Sequence, residues 1–541
     1  MAITVSRALA ASTNTNTNTD ADHSAPEPGR ERHEDATVWP SVALERGAGQ
    51  APLYQQLVDA LAWQIDTGGL PQGRRLPSER DLAQHLGVSR TTVVSAYREL
   101  EARGMLRGHV GRGTFVCAPL RSGDGNGTES APFAWRGKVS QAAQRTSDGM
   151  LRAIVRHSTD ADLIAFAAGA PALDAFPVDM MRDALNRALQ REGQRAFDHS
   201  SVEGHPRLRR AIAARHGLRP ERVQIINGAQ QGLDLIARCL LDPGDWVVMD
   251  RPGYLGAIQT FRAAGANISG WDIARADLEE LEDLFLRHRP KLLYTCPTFS
   301  NPTGRTLSAA ERHALLDLAT RYRVPIIEDD PYRELSFTGV VPATLREIDT
   351  QGLVIQLNTF SKEIGPGLRL GWLTATEAIV EQLTLIRQRV DVSSPPLLQL
   401  AVADLLTTSA FDQHMLALRS EHVRRHDAML AALQREIPPG MLTYAPASGG
   451  VFLWARLQAP GVTARELLAE TTARGVVFVP GEAFYADSAS GAGRSELRLA
   501  FATQSPERIA LGVRRISEAL RALHAHHTSG QHTLDGTLPI A

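Results

Sequence analysis

Lys362 lies in a stretch, NTFSKEIGPGLRLGW, whose residue types suit attack on an aldehyde beside a bound anion. An apolar run, Leu353–Leu357, precedes it and predicts a buried strand. A lysine at the end of such a strand is desolvated, which lowers the pKa of its amine and makes it a nucleophile. Thr359 and Ser361 supply hydroxyls for the anion, and Arg369 supplies a fixed guanidinium fork.

Pyridoxal 5'-phosphate (PLP) is a cofactor that carries both an aldehyde and a phosphate, and we predict a PLP site around Lys362. A surface turn with an incidental lysine is the alternative interpretation of the same stretch. The elements that precede this stretch in the chain distinguish the PLP site from the surface turn.

Four more apolar runs alternate with segments of helical period, which predicts a mainly parallel sheet covered on both faces. The runs are Val223–Ile226, Trp246–Met249, Leu292–Thr295 and Val324–Ile327, and the motifs after them are NGAQQ, DRPGY, CPTFSNPTG and EDDPY. Ligands bind outside the carboxyl ends of such strands, so we expect the motifs to converge on the lysine. Turns, helix starts and core tyrosines explain each motif singly, but not the whole series.

Each motif supplies a group that PLP chemistry needs. Asp329 keeps the pyridine nitrogen protonated, Asn301 and Tyr332 hydrogen-bond to the phenolic oxygen, and Tyr254 offers its face for stacking. Lys362 bonds the aldehyde and then acts as a general base once an amine displaces it. The predicted catalytic residues are Lys362, Asp329 and Tyr254. The predicted phosphate ligands are Ser361, Thr359, Arg369 and the free amides of Ala229 and Gln230 at a helix N-terminus.

A second pattern lies between residues 71 and 113, where eight arginines stand against four carboxylates, a net charge of +4. Ser78 and Ser89 are good N-caps for two short helices joined by a Gly-Val turn. Arg90, Thr91 and Thr92 then occupy the first turn of the second helix, where a recognition helix meets DNA. Arg112, between two glycines of a predicted hairpin, suits a minor groove. A helical protein-interaction module with a solvated charged face is the alternative.

The segments LPSERDLAQHLGVSRTTVVSAYRELEARGML and GRGTFV resemble the winged helix-turn-helix of GntR-type transcription regulators. The resemblance implies DNA contacts at Arg80, Arg90, Thr91, Thr92 and the wing glycine, so the full predicted DNA-binding set is Ser78, Arg80, Arg90, Thr91, Thr92, Arg112 and Gly113. Val94 departs from the family, because some members carry a base-contacting arginine there.

The motifs GAQQGLDL, DRPGY, FSNPTG, EDDPY and FSKEIGPGLRLGW resemble those of fold type I aminotransferases, over residues 161–525. The resemblance implies that Arg498, in ELRLAF, binds a substrate carboxylate. His199, in HSSVEG, departs from the pattern of fold type I aminotransferases. The family usually has a tyrosine there that reaches the phosphate of the partner subunit.

A GntR-type reader joined to an aminotransferase-like domain resembles the MocR-type regulators. The resemblance implies a PLP-dependent transcription regulator that forms a homodimer through its aminotransferase-like domain and binds paired half-sites in promoter DNA. It senses an amino-acid-like effector or PLP itself, through aldimine exchange at Lys362. A working aminotransferase with an appended DNA reader is the alternative that these residues leave open.

The expected fold class is α/β, with a large mainly parallel-sheet subdomain and a small α+β subdomain after the winged helix-turn-helix. The expected boundaries are a disordered tail (1–46), a DNA-binding domain (47–118), a linker (119–160), a PLP-binding domain (161–525) and a second tail (526–541). The net charge of −2 argues against nucleic-acid binding by the whole surface. Three scattered cysteines show no metal-ligand pattern, and no apolar run reaches membrane-spanning length. We therefore expect a cytoplasmic protein, on the nucleoid when it binds DNA.

Overall fold

The computed structural model describes residues 39–40, 42, 44–46, 51–66, 70–71, 73–102, 104–109, 113–117, 139–145, 163–487 and 491–531. Its contacts divide the chain into two compact units, Met1–Val139 and Ser140–Ala541. The division falls inside the segment predicted as a linker. The glycine-rich run of that segment, Gly123–Gly127, lies outside the described residues.

The first unit consists of three helices followed by a two-stranded hairpin. Its elements are α1 (Leu53–Asp66), α2 (Glu79–Leu86), α3 (Arg90–Ala102), β1 (Leu106–His109) and β2 (Gly113–Val116). The side chain of Ser78 accepts from the Asp81 amide and caps α2, and Gly87 ends that helix at a φ of 63°. Tyr97 of α3 is buried and donates from its hydroxyl to the carbonyl of Pro77. The predicted helix-turn-helix with a hairpin wing is confirmed.

The N-terminal segment before α1 is ordered further toward the N-terminus than predicted. Residues 1–38 lie outside the described part of the chain, but Val42 and Leu44 pack against the core of the first unit. The ring of Trp39 lies 4.9 Å from that of His85 in α2. The described residues between 39 and 46 thus contact the first unit, in a segment for which a disordered tail was predicted.

The second unit is built on a seven-stranded sheet. Its strands are β4 (Val223–Ile226), β5 (Trp246–Arg251), β6 (Asn267–Asp272), β7 (Leu292–Thr295), β8 (Ile326–Asp329), β9 (Val354–Thr359) and β10 (Gly371–Thr374), in the order β4-β10-β9-β8-β7-β5-β6. β10 runs antiparallel to β4 and β9, and the other pairs are parallel, as predicted. Edge strand β6 escaped the prediction because it is largely half-exposed and carries no continuous apolar run.

Helices cover both faces of this sheet and extend into a smaller subdomain. They are α4 (Gln141–Gln144), α5 (Val178–Glu192), α6 (Pro206–His216), α7 (Ala229–Leu240), α8 (Leu255–Ala264), α9 (Leu278–His288), α10 (Ala309–Tyr322), α11 (Leu345–Ile348), α12 (Glu377–Gln388), α13 (Pro396–Leu405), α14 (Ser409–Glu436), α15 (Ala464–Ala473) and α16 (Pro506–Gln531). Helix α16 continues past residue 526, where a loose tail was predicted, and ends at Gln531. No described helix is long and apolar enough to cross a membrane.

The smaller subdomain contains a four-stranded antiparallel sheet and a two-stranded parallel one. The first has the order β11 (Leu442–Tyr444), β12 (Phe452–Leu457), β15 (Glu496–Ala500) and β14 (Val479–Pro480). The second pairs β13 (Val476–Val477) with β3 (Ile164–Ala165). The prediction placed this subdomain after about Ser420 and missed β3, because that pairing joins residues some 300 positions apart and has no local signal.

Candidate PLP site and DNA-binding surface

The loop that carries Lys362, here called the lysine loop, begins at Phe360, directly after β9. Thr359 accepts from the amide of Ser361 at 3.2 Å, and the two hydroxyl oxygens lie 2.9 Å apart, which holds the 3₁₀ turn Phe360–Lys362. Lys362 Nζ donates to the carbonyl of Gly169 at 2.6 Å. The surrounding protein desolvates this ammonium and lowers its pKa to about 8, with a further lowering by Arg498. An appreciable fraction of the amine is therefore neutral and nucleophilic near neutral pH.

Asp329 is the last residue of β8 and is buried. The hydroxyl of Tyr294, on the neighbouring strand β7, donates to Asp329 Oδ2 at 2.6 Å. Oδ1 has no hydrogen-bond partner among the described residues. Burial raises the pKa of this carboxyl to about 6, whereas the Tyr294 hydrogen bond and the charge of Lys362 lower it. An orphaned buried carboxylate oxygen inside the cavity fits the protonated ring nitrogen of PLP.

The N-terminus of α7 forms an anion cradle. Gly228 caps this helix without a side-chain hydrogen bond, so no side-chain cap occupies the amides of Ala229 and Gln230, which can bind a phosphate. Arg369 Nη2 donates to the carbonyl of Asn227 at 3.0 Å and would lie 2.9 Å from a Cβ at position 228. Only glycine, at a φ of 83°, permits that approach.

Asn301, Tyr332 and Tyr254 lie around the same space. Asn301 Nδ2 is 3.4 Å from the hydroxyl of Tyr332, and the hydroxyl of Tyr254 is 3.3 Å from Gln230 Oε1. The cavity has a volume of about 540 Å³. It is lined by every residue that the sequence predicted for PLP: Ala229, Gln230, Tyr254, Asn301, Asp329, Tyr332, Thr359, Ser361, Lys362 and Arg369. Donors, acceptors and charges for each part of PLP therefore converge in one cavity.

Arg498 lines the cavity from the smaller subdomain, and it is buried. Nη1 donates to Asn301 Oδ1 at 2.8 Å, and Nη2 donates to the carbonyl of Ala167 at 2.6 Å. Desolvation lowers the pKa of this guanidinium to about 10. The guanidinium carbon Cζ of Arg498 lies 4.1 Å from the ring centre of Phe452 and 5.0 Å from that of Phe484. These cation–π contacts help to accommodate the buried charge.

Several residues around the cavity were not predicted from the sequence. Tyr294 was counted only as part of an apolar strand, although a polar ring in a fully buried strand is a usable signal. Ala167–Gly169 and the rings of Phe452 and Phe484 reach the site through tertiary contacts. Asp391 accepts from the side chains of Asn227 and Gln231, and so supports the start of α7 from a distant loop.

The predicted DNA-binding residues lie in the first unit. Arg90 is 71% exposed, with Nη2 3.2 Å from Glu79 Oε2, and Arg80 and Thr91 are exposed on α2 and α3. Ser78 caps α2. Thr92 takes part in the cap of α3, since its Oγ1 lies 2.8 Å from Ser89 Oγ. Arg112 lies outside the described residues. Gly113 has a φ of 104° and opens β2.

Comparison with known proteins identifies both units. Residues 161–516 match the family "Aminotransferase class I and II", and residues 53–116 match "Bacterial regulatory proteins, gntR family". The chain is 35% identical over 399 residues to the 2-aminoadipate transaminase of Thermus thermophilus, covering 73% of this chain and 99% of that protein. It is 32% identical over 425 residues to the probable rhizopine catabolism regulatory protein MocR of Rhizobium meliloti, covering 77% of this chain and 83% of that protein.

A solved structure with the same fold is that of LysN, the alpha-aminoadipate aminotransferase from Thermus thermophilus, in complex with N-(5'-phosphopyridoxyl)-L-leucine. The TM-score is 0.68 at 35% identity, and the match covers 72% of this chain and 99% of LysN. The MocR-type organisation, a gntR-family unit followed by an aminotransferase class I and II domain, is thereby confirmed.

Replacing Lys362 by alanine is expected to abolish covalent capture of PLP, because no other amine is described in the cavity. Purified protein mixed with PLP should absorb visible light, and borohydride should fix the cofactor to the peptide that contains Lys362. The matched control is Lys291→Ala, which removes an exposed lysine. A reducible adduct that survives in Lys362→Ala would contradict the assignment.

Replacing Tyr294 by phenylalanine is expected to weaken PLP binding and shift its pH dependence upward. PLP affinity should fall as the pH drops through about 6, because protonation of Asp329 removes the acceptor for the ring nitrogen. Loss of the Tyr294 hydrogen bond raises the pKa of Asp329 further, so the fall begins at higher pH and the affinity at pH 7 drops about tenfold.

Equilibrium dialysis of PLP between pH 5 and 9 measures this effect. Tyr322→Phe is the matched control, because the hydroxyl of Tyr322 donates to Glu282 Oε1 at the same distance of 2.6 Å, far from the cavity lining. An identical pH midpoint in wild type and Tyr294→Phe would exclude this role.

Proposed function

Because the chain belongs to the aminotransferase class I and II family and carries a gntR-family unit before that domain, we propose that it is a PLP-dependent transcription regulator. The first unit binds promoter DNA, and the cavity around Lys362 senses an amino compound, PLP or both. The observation that carries the proposal is the presence of both units in one chain, with every group for PLP converging on the cavity of the second.

The residues of the cavity have separable tasks. PLP, when bound, supplies an electrophilic carbon and an electron-accepting ring. Lys362 Nζ, with its pKa near 8, takes up and releases a proton near neutral pH. Asp329 Oδ1 holds a proton at the ring nitrogen, the first-turn amides of α7 bind phosphate, and Arg498 binds a carboxylate. Tyr254 borders the cavity beside Gln230, where its ring offers a face for stacking.

A working aminotransferase is the second candidate function. The same Lys362, Asp329 and Arg498 groups serve turnover, and the chain shares 35% identity with a 2-aminoadipate transaminase. The gntR-family unit favours the regulator, because turnover of an amino compound does not require a DNA-binding unit. Similarity over 88% of the chain to the protein described as uncharacterized HTH-type transcriptional regulator YdfD of Bacillus subtilis, 29% identical over 493 residues, agrees with this choice.

We propose a homodimer formed through the aminotransferase-like unit, bound to paired half-sites. His199, where relatives usually carry a tyrosine that reaches the phosphate of the partner subunit, is exposed. Phe197, two residues earlier, is 74% exposed, which suits a surface that a second copy covers. Histidine at position 199 changes the donor offered to the partner's phosphate from a hydroxyl to an imidazole.

Replacing Arg90 by alanine is expected to cost about 1–3 kcal/mol of affinity for a specific DNA site and to relax sequence preference, if Arg90 reads base edges. Affinity is measured on a site selected in vitro from random DNA. Arg321→Ala is the matched control, because Arg321 is 65% exposed and also pairs with a glutamate, Glu282, at 3.2 Å. Equal loss from both variants, or none from Arg90→Ala, would contradict the proposed contact.

The effector is expected to be an amino-acid-like compound rather than PLP alone. A ligand with an amine and an acid would displace Lys362 from the cofactor and place its carboxylate at Arg498. PLP alone leaves Arg498 without a counter-ion, so it shifts the conformational equilibrium less. Titrating DNA binding with PLP, and then with PLP plus single amino acids, distinguishes the two. If PLP alone produces the entire change, and Arg498→Lys leaves it intact, the effector is PLP.

A further inference from the structure

We propose that Asp391, in the loop that follows α12, is a positioning residue for the phosphate of PLP. This inference rests on the proposed function, because it assigns how the same cavity recognises its cofactor. Asp391 does not itself line the cavity. It holds the side chains of Asn227 and Gln231 at the start of α7, so that the amides of Ala229 and Gln230, which do line the cavity, lie where a phosphate can accept from them.

The carboxylate of Asp391 gathers three donors. Oδ2 accepts from the side-chain amides of Asn227 and Gln231, and Oδ1 accepts from Arg387 Nε at 3.0 Å. Arg387 is fully buried, and its Nη1 also donates to the carbonyl of Val202 at 3.1 Å. Because this guanidinium is itself anchored, Asp391 ties the start of α7 to a fixed cation through charge-assisted hydrogen bonds.

Asn227 is the residue through which Asp391 acts on both kinds of phosphate ligand. Its Oδ1 accepts from Ser394 Oγ at 2.6 Å, and its backbone amide donates to Gln231 Oε1 at 2.6 Å. Its carbonyl accepts from Arg369 Nη2 at 3.0 Å. Asn227 immediately precedes the N-cap of α7, so its orientation determines where the guanidinium of Arg369 and the first-turn amides lie.

The loop that carries Asp391 is held in a conformation that its own sequence disfavours. Val392, the next residue, has a φ of 63°, where a β-branched side chain is crowded. Strain of this kind persists only where the surrounding contacts determine the backbone. Those contacts are the bonds of Asp391 on one side and of Ser394 on the other, whose hydroxyl accepts from Arg387 Nη2 at 2.7 Å. The network, rather than local preference, thus sets the loop.

The contribution of Asp391 is specific for the phosphate. The groups for the aldehyde and the ring, Lys362 and Asp329, make their described hydrogen bonds elsewhere. Without Asp391, the first turn of α7 and the side chain of Arg369 have more orientations available. A phosphate must then order these groups as it binds, which lowers its affinity.

Affinity for PLP and for pyridoxal, which lacks the phosphate, tests the inference. Asp391→Asn keeps the shape but leaves one acceptor oxygen, so its NH2 group faces either Arg387 or the two side-chain amides. Equilibrium dialysis of the whole protein is expected to show about tenfold weaker binding of PLP and less than about twofold weaker binding of pyridoxal. Val390→Ala, in the same loop and 46% exposed, is the control expected to match wild type. Equal losses for the two ligands, or no loss of PLP affinity, would overturn the inference.

Asn227→Ala provides a second test that leaves the ion pair of Asp391 with Arg387 in place, so no buried charge loses its partner. We expect the same selective loss of PLP affinity. Because Asp391 acts through Asn227, the double variant should lose less than the product of the two single losses. Independent losses in this cycle, or equal weakening of PLP and pyridoxal by Asn227→Ala, would count against the proposed role.

These measurements contain no DNA, which separates this inference from the proposed function. A wild-type protein that binds PLP no better than pyridoxal would overturn the inference. A protein that shows the selective loss in Asp391→Asn but binds no DNA would contradict the proposed function and leave the role of Asp391 supported.

Discussion

The second unit depends on one physical constraint, which is that charged side chains are buried away from water in its cavity. Lys362, Asp329 and Arg498 share one cavity, and desolvation lowers the pKa of Lys362 to about 8, raises that of Asp329 to about 6 and lowers that of Arg498 to about 10. Each shift favours the neutral form. Such groups gain most from ligands that bring the missing counter-charges, and this is why a phosphate, a protonated ring nitrogen and a carboxylate suit the cavity.

Sheet topology produces this arrangement. β7 and β8 are parallel neighbours, so their carboxyl ends bring Tyr294 next to Asp329. β9 lies beside β8 and delivers the lysine loop to the same edge, while β10 returns antiparallel and seats Arg369 against the start of α7. The large sheet thus supplies the groups for the cofactor. The smaller subdomain supplies Arg498, so a ligand that contacts both Lys362 and Arg498 joins the two parts.

Regulation by the second unit is physically reasonable because a ligand can join its two subdomains. A ligand alters DNA binding only if it binds one conformation more tightly than another, and a bridge between two subdomains meets that requirement. The first unit has its own hydrophobic core, formed by α1–α3 and the hairpin. Its exposed Arg80 and Arg90 carry positive charge that the overall net charge of −2 conceals.

The sequence by itself determined the two units and the mainly parallel sheet, and it predicted residues for PLP that all line one cavity, because these features depend on local patterns. Strand ends, N-caps and glycine turns are encoded within a few residues, and parallel strands must bring their ends together. Only the tertiary structure decided that Arg498 is buried between Phe452 and Phe484, that Tyr294 supports Asp329, and that β3 joins the smaller subdomain. These contacts join residues tens to hundreds of positions apart, and their free energy comes from burial and hydrogen bonds that no local pattern records.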